Sequence, residues 1–260
     1  MLLLCSVAPQ YPNSGLPPPK EFLFSVLDFK PQALDLGRES STLPDDDFFP
    51  LIEARHLDPF KLLGIREFKG SQFGRVLRPD AAEVAIVDTA DNTRRFPLTK
   101  VHPDGLFESV LRGVEQPFDY VLEMKSHAGE TWREKDAYSF GPVLGEMDIY
   151  LFNEGTHYEV YKKLGAHMME LGGVAGTHFS VWAPNAQRVS VVGDFNHWDG
   201  RVHAMRKMIP SGVWEIFVPH VQEGAHYKIE IRGPYGESML KTDPFALFCP
   251  ARDADRLHGL

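Results

Sequence analysis

The sequence predicts an all-β fold made of two tandem immunoglobulin-like antiparallel β-sandwiches, with short linking helices and an irregular N-terminal arm. Three observations support this fold class. Turn-forming residues are frequent, with 22 glycines and 20 prolines among 260 residues. Short segments alternate between apolar and polar residues, and their pattern occurs twice along the chain. A hydrophobic fraction of 43% is typical of a globular protein, and the length fits one large domain or two small ones.

The N-terminal segment lacks a regular pattern. Residues 1–43 contain three consecutive prolines and show no sustained period of 2 or 3.6, which predicts an irregular or disordered arm. After Pro44 the pattern changes. We predict a short helix between Asp45 and Leu57, with Asp45 as its N-cap.

The rest of the chain contains an internal repeat. Four segments recur in the same order at offsets of 105 to 107 positions: 78–87 as 183–192, 104–108 as 211–215, 120–124 as 227–231, and 135–138 as 242–245. Four ordered matches at nearly one offset indicate two copies of a module of about 100 residues. We therefore predict a first sandwich at 44–145, a second at 146–250 and a tail at 251–260.

The strands of the second copy show alternating polarity. Three apolar residues alternate with two others in Trp214-Glu215-Ile216-Phe217-Val218, and the segment 227–232 alternates in the same way. This pattern predicts strands with one apolar and one solvated face, with Lys228 on the solvated face. We place Trp182 and Trp214 in the core because both alternate with apolar residues.

Two glycine-containing segments are assigned to connections. Residues 172–176 are rich in glycine but are not followed by Lys-Ser/Thr, which favours a hairpin over a phosphate loop. Between the copies, Thr156 and Glu159 have the spacing of a capping box, and Gly165 stands where a C-terminal cap belongs. This spacing predicts one short linking helix, with the boundary between the modules at 141–155.

Charge and composition argue against several function classes. The net charge of −9 disfavours nucleic acid and anionic lipid, because phosphate binding needs a basic surface. No apolar stretch approaches the 18 or so residues of a membrane span, and the N-terminus lacks the charged leader of a secretory signal. We expect a cytoplasmic protein that binds neither nucleic acid nor membrane.

No catalytic, metal or cofactor site is predicted. The eleven histidines lack partners at ligand spacing, and the distant pair Cys5 and Cys249 indicates incidental thiols. The acidic run 45–47 and the pair Asp253 and Asp255 are interpreted as solvated charge, because hydrolytic carboxylates need two different environments around one substrate.

The segment 179–200, which ends in Gly-Asp-Phe-Asn-His-Trp-Asp-Gly, carries a resemblance to a known family. The segments Asp58–Gly64 and Tyr150–Gly155 resemble the same family and occur in the same order as in its members. From about Phe48 to Phe248 the chain resembles the bacterial 1,4-alpha-glucan (glycogen) branching enzymes. The element at 193–200 is similar to the β-sandwich called carbohydrate-binding module family 48.

The resemblance implies a non-catalytic part of such an enzyme. Branching enzymes cut an α-1,4 glucan and reattach it through an α-1,6 bond, using carboxylates of an α-amylase-type (β/α)8 barrel. Only 12 residues follow Phe248, whereas a barrel takes at least about 200 residues. We expect the N-terminal portion of a glycogen-biosynthesis enzyme, inactive alone, whose partners are an α-glucan and the missing barrel of its full-length relatives.

The resemblance also implies sugar-contacting residues. Glucan modules stack an exposed aromatic on a pyranose ring and bond its hydroxyls with polar side chains. Trp198 is the implied platform, and Lys228 and Asn196 are the implied polar contacts. Ser238-Met239-Leu240 stand where a second platform aromatic belongs, so we expect weak affinity.

Other interpretations of these residues remain open. Asn196 also fits a turn residue, Phe195 fits a core plug, and Trp198 fits equally well a contact with the module itself or with the missing barrel. The first copy lacks a counterpart of Trp198 and is expected to be structural. Alternative functions are a free-standing α-glucan-binding module, a protein-interaction scaffold, or an unstable remnant of a truncated or frameshifted gene.

Overall fold

A computed structural model describes residues 41–246. Most of the predicted arm, the tail at 251–260 and both cysteines lie outside these residues. The described residues form two modules of antiparallel strands with only two α-helices, which confirms the predicted fold class. None of the helices within 41–246 is long and apolar enough to cross a membrane.

The first module is one seven-stranded antiparallel sheet folded over on itself. Its elements are α1 (Asp45–Ile52), β1 (Gly64–Phe68), β2 (Ser71–Leu77), β3 (Ala81–Asp88), β4 (Arg95–His102), β5 (Leu106–Val110), β6 (Tyr120–Ser126) and β7 (Thr131–Glu134). The strand order is β1-β2-β5-β4-β3-β6-β7. A Cβ added to Gly74 of β2 would collide with Ile86 of β3, so the part of the sheet that contains β2 faces the part that contains β3 across a core.

The second module is a sandwich of two sheets. Its elements are α2 (Glu146–Glu154), β8 (Gly165–Leu171), β9 (Val174–Trp182), β10 (Arg188–Gly193), β11 (Arg206–Met208), β12 (Val213–Pro219), β13 (Tyr227–Arg232) and β14 (Ser238–Lys241). Strands β11-β12-β9-β8 form one sheet and β10-β13-β14 the other. Trp214, Phe179 and Val191 are fully buried between the sheets.

The strand orders confirm the internal repeat. If strands β1 to β7 are renumbered β8 to β14, the strand order of the first module becomes that of the second. In the second module the sheet is interrupted between β10 and β11, where a single bridge joins Ser190 and Ala204. Helix α2 begins 101 residues after α1, so the repeat includes the helices.

A tyrosine-aspartate hydrogen bond occurs at the same place in both modules. The Tyr120 hydroxyl donates to Asp136 at 2.6 Å, and the Tyr227 hydroxyl donates to Asp243 at 2.8 Å. Each aspartate also accepts the backbone N–H two residues later, at 2.9 and 2.8 Å. Burial raises the pKa of Asp136 and raises that of Tyr120 well above its ordinary value.

The helix after Pro44 is present, but its cap was predicted wrongly. Pro44 is the N-cap residue and Asp45 is the first helical residue. The acidic residues of the first turn therefore act on the helix dipole rather than as a cap. The helix ends at Ile52, short of Leu57.

The linking helix lies ten residues before the predicted one. Helix α2 starts after Gly145, whose N–H donates to the Asp148 carboxylate at 3.2 Å, and it ends at Gly155, which has a φ of +72°. The left-handed glycine stops the helix before Thr156, so Thr156 and Glu159 form no capping box. Residues 160–162 form a 3-10 turn, and Gly165 begins β8.

The alternation argument was right for one tryptophan and wrong for the other. Trp214 is completely buried, whereas Trp182 is 56% exposed. Trp182 pairs with Val213 on the outer face of its sheet, opposite the inward-facing Phe179 and Val181. The hairpin prediction is confirmed, because Gly172 and Gly173 connect β8 and β9 with φ of +58° and +78°.

The outer face of β12 is covered rather than solvated. Glu215 and Phe217 are both buried. The Glu215 carboxylate accepts the backbone N–H of Val143 and Leu144 at 3.2 and 3.0 Å, and Phe140 packs edge-on against Phe217 at 4.8 Å. The segment between the modules therefore forms the cover of this face.

Candidate functional site

The Trp198 turn, residues 194–203, connects β10 to β11 and is specific to the second module. The corresponding connection in the first module, residues 89–94, is shorter. A 3-10 turn at Asp194–Asn196 is followed by two left-handed residues, His197 with a φ of +53° and Trp198 with a φ of +62°. These dihedral angles are uncommon for residues other than glycine, so the turn requires support from its surroundings.

Asn196 supplies much of that support. It is buried, its Oδ1 accepts the Gly193 N–H at 2.9 Å, and its Nδ2 donates to the Val191 carbonyl at 2.9 Å. Nδ2 also lies 3.0 Å from His203 Nδ1. Burial lowers the pKa of His203 to about 3, so its ring is neutral and can accept this hydrogen bond. These contacts favour the turn role of Asn196 over a sugar contact.

Trp198 presents an exposed and oriented ring. Its side chain is 39% exposed, and its Nε1 donates to Asp194 Oδ1 at 3.1 Å. The Trp198 backbone N–H donates to the Gly193 carbonyl at 3.1 Å. Because the only polar group of the indole is bonded within the protein, the apolar face of the ring is what remains for a ligand.

The turn lies directly over the outer face of β10 and β13. A Cβ at Gly200 would collide with the Glu230 carboxylate, which is paired with Arg188. Lys228 lies two residues from Glu230 on the same face of β13 and is exposed, and its side chain forms no hydrogen bond or ion pair with the described residues. Its ammonium group is available to a ligand.

Leu240 occupies the place predicted for a missing second aromatic. It is opposite Glu230 in the pairing of β13 with β14, so the two share the outer face, and it is exposed. We name the area defined by Trp198, Lys228 and Leu240 the Trp198 surface. It presents an aromatic ring, a cation and an aliphatic side chain.

The corresponding face of the first module is occupied by ion pairs. Glu123, the counterpart of Glu230, is bonded to Arg95 at 2.8 Å and to Arg133 at 2.6 Å. Hydrogen bonds from these two arginines lower the pKa of Glu123. Arg133 stands at the position of Leu240. The position of Leu240 is thus taken by a member of a charged network in the first module.

A second carboxylate secures the Trp198 turn. Asp199 is bonded to Arg201, whose Nη2 lies 2.7 Å from Asp199 Oδ2. Burial acts to raise the pKa of Asp199, but the hydrogen bonds from Arg201 outweigh it and hold the pKa below its ordinary value. Among residues 41–246, no group of three or more His, Cys, Asp or Glu side chains is arranged to hold a metal ion.

The sequence did not point to Asp194 or Gly200. Asp194 orients the indole and Gly200 permits the close approach of the turn to β13. The spacing of four residues between Asp194 and Trp198 was visible, but the left-handed residues that bring their side chains together were not.

Two family models match the chain. Residues 44–138 match the alpha-1,4-glucan branching enzyme GlgB, N-terminal domain, and residues 163–246 match carbohydrate-binding module 48 (isoamylase N-terminal domain). The matched segments correspond to the two repeats.

Curated relatives match over most of the chain. The 1,4-alpha-glucan branching enzyme GlgB of Cereibacter sphaeroides is 46% identical over 228 residues, which are 86% of this chain and 31% of that protein. The protein of the same name from Myxococcus xanthus is 46% identical over 219 residues, which are 83% of this chain and 29% of that protein. The chain thus spans about a third of the length of these relatives.

A solved pullulanase from Anoxybacillus sp. LM18-11 matches 70% of this chain and 25% of its own, with 15% identity and a TM-score of 0.28.

Proposed function

We propose that the second sandwich of this chain binds an α-glucan in a non-catalytic role. Over residues 44–138 and 163–246 the chain belongs to the N-terminal part of the 1,4-alpha-glucan branching enzyme family. The observation that carries this proposal is the exposed Trp198 ring, held by Asp194 on a turn that only the second repeat contains.

The chemistry of the surface suits a glucan. The indole face can stack on the apolar face of a pyranose, and the free ammonium group of Lys228 can donate to hydroxyls at the rim of the same or the next sugar. Leu240 adds apolar contact but no stacking platform. Hiding about 80 Å² of apolar surface contributes about 2 kcal/mol, and a charge-assisted hydrogen bond about 2 kcal/mol more. Because association also costs translational and rotational freedom, this sum is an upper limit, and we expect a Kd of about 1 mM or weaker.

Retardation in a native gel that contains amylopectin tests this proposal. We expect the chain to be retarded, Trp198→Ala to migrate as in a gel without polysaccharide, and Lys228→Met to be retarded less. Trp182→Ala is the matched control, because Trp182 is also exposed and its indole also donates within the protein, to the Ser211 carbonyl at 3.1 Å.

The same gel distinguishes the alternatives. Unchanged retardation of Trp198→Ala would contradict the assigned surface while leaving α-glucan binding in place. A wild-type chain that is not retarded, together with a specific protein partner, would favour the scaffold function instead.

A further inference from the structure

The first module contacts the segment that ends the Trp198 turn. Tyr138, which closes the first repeat, is buried, and its hydroxyl accepts the Ala204 N–H at 3.0 Å and donates to the Val202 carbonyl at 3.1 Å. Val202 lies within the turn, and Ala204 is the first residue after it. One side chain of the first module therefore holds the backbone on both sides of His203.

His203 connects this contact to the rest of the turn. Its ring is buried, and its Nδ1 accepts a hydrogen bond from Asn196 Nδ2 at 3.0 Å. Asn196 is also buried, and the left-handed residues His197 and Trp198 follow it directly. The Tyr138 hydroxyl is thus linked to the residues that shape the turn by a series of contacts between buried groups.

The other groups of Tyr138 are fixed within the first module. Its backbone N–H donates to Asp136 at 2.9 Å, and its carbonyl accepts a hydrogen bond from Arg66 Nη2 at 3.0 Å. Its ring packs edge-on against Phe60, with the ring centroids 4.9 Å apart. Because these contacts hold the residue on three sides, its hydroxyl is a fixed point against which the Trp198 turn is placed.

The internal repeat separates the role of the Tyr138 ring from that of its hydroxyl. Phe245 stands 107 positions after Tyr138 and has the same ring without the hydroxyl. Phe245 packs on a small cluster of the second module that contains Leu144 and Leu164. The ring therefore serves the packing of both modules, whereas the hydroxyl is present in the copy that meets the Trp198 turn.

A charged group of the first module acts on the same part of the turn. Arg78 is buried and paired with Asp80 at 2.7 Å. Burial is the main cause of the low pKa of His203, about 3, and the positive charge of Arg78 adds to the lowering. A protonated His203 could not accept the hydrogen bond from Asn196. Arg78 therefore supports the contact that His203 makes within the turn.

We infer that Tyr138 is a positioning residue for α-glucan binding, because its hydroxyl holds the Trp198 turn in the conformation that presents the indole. The inference rests on the proposed function of the Trp198 surface and gives the first module a part in it. Loss of one hydrogen bond between neutral groups changes an equilibrium by about fivefold. The apparent Kd rises as the binding-competent conformation is depopulated, so we expect Tyr138→Phe to raise the apparent Kd for amylopectin by about threefold.

Two measurements on Tyr138→Phe test the inference together. In a ¹H–¹⁵N spectrum without ligand, we expect the Trp198 indole N–H resonance to shift or split, because its partner Asp194 belongs to the same turn, while the Trp182 resonance stays in place. Native gels at a series of amylopectin concentrations give the apparent Kd. Tyr120→Phe is the matched control, since it removes a buried hydroxyl from the first module without touching the second, and it should change neither quantity.

An unchanged Trp198 resonance, an apparent Kd within about 1.5-fold of the wild type, or equal effects of Tyr120→Phe would each overturn the inference. If Tyr138→Phe does not fold, hydrogen exchange of the wild type decides. The Ala204 N–H should then exchange as slowly as the Met205 N–H, which is bonded within the second module, and rapid exchange would overturn the inference. A wild-type chain that amylopectin does not retard would refute the proposed function instead, so the two failures are distinguishable.

Discussion

Glu215 is expected to be the most important single carboxylate for the stability of the second module. Its side chain is almost completely buried and makes four contacts. It accepts the N–H groups of Val143 and Leu144 at 3.2 and 3.0 Å, lies 3.0 Å from His178 Nε2 and forms an ion pair with Arg206 Nε at 3.5 Å. Truncation would leave the buried Arg206 guanidinium group, the half-buried N–H of Val143 and the buried N–H of Leu144 without this partner.

The size of the effect follows from those contacts. Removing one partner of a buried ion pair costs about 3–5 kcal/mol. We therefore expect Glu215→Ala to lower the free energy of unfolding by about 4 kcal/mol, and Glu215→Gln by about 2 kcal/mol, because the amide oxygen can still accept one backbone N–H. Glu83→Ala, which breaks the exposed pair with Lys125, should cost less than about 1 kcal/mol.

Urea unfolding followed by circular dichroism measures these differences. A loss below about 1 kcal/mol for Glu215→Ala would refute the argument that the carboxylate anchors the segment between the modules. Glu108 offers an independent test, since it lies 107 residues earlier and binds Ser41 at 2.8 Å, the Thr42 N–H at 3.1 Å and Arg75 at 3.4 Å. Glu108→Ala should therefore show a similar loss.

Three further predictions concern burial, pH and activity. Trp214→Ala should lower the free energy of unfolding by about 4 kcal/mol and Trp182→Ala by less than about 1.5 kcal/mol. If urea unfolding gives losses of similar size for the two variants, the assigned burial of Trp214 and exposure of Trp182 are contradicted. His203 has a folded pKa of about 3, below its unfolded value, so the unfolded state binds the extra proton and stability falls as the pH drops below about 6.5. At pH 5 the wild type should lose about 2 kcal/mol more than His203→Gln, relative to pH 7, and equal losses in the two proteins would contradict the burial of this ring. The chain should leave the iodine spectrum of amylose unchanged, and new α-1,6 linkages would contradict its non-catalytic role.

The repeat was predictable because its strands carry matching residues at nearly constant spacing. Pro79 and Pro184 follow corresponding strands, and Asp136 and Asp243 accept corresponding tyrosine hydroxyls. Such local features survive in the sequence because each depends on neighbours within one module. The first module has one folded sheet and the second has two separate sheets. This difference was not predictable from the sequence, since it depends on how β10 and β11 pair in space.

The errors arose where tertiary contacts override local pattern. The spacing of Thr156 and Glu159 suited a helix start, but Gly155 had already ended the preceding helix with a left-handed φ. Trp182 looked like a core residue because its neighbours are apolar, yet strand parity places it on the outer face. The sugar-contact roles of Trp198 and Lys228 were implied by resemblance and stay predictions. The buried position of Asn196 was not predictable, because it depends on His203, seven residues away.

The indole N–H resonances provide the most direct test of the claim that the second sandwich binds an α-glucan at Trp198. The chain has four tryptophans, so a two-dimensional ¹H–¹⁵N spectrum resolves each indole during a titration with maltoheptaose. We predict a saturable shift of the Trp198 indole N–H and constant positions for Trp182 and Trp214. A Trp198 resonance that stays fixed at several millimolar maltoheptaose would contradict the assignment, whichever other signals move.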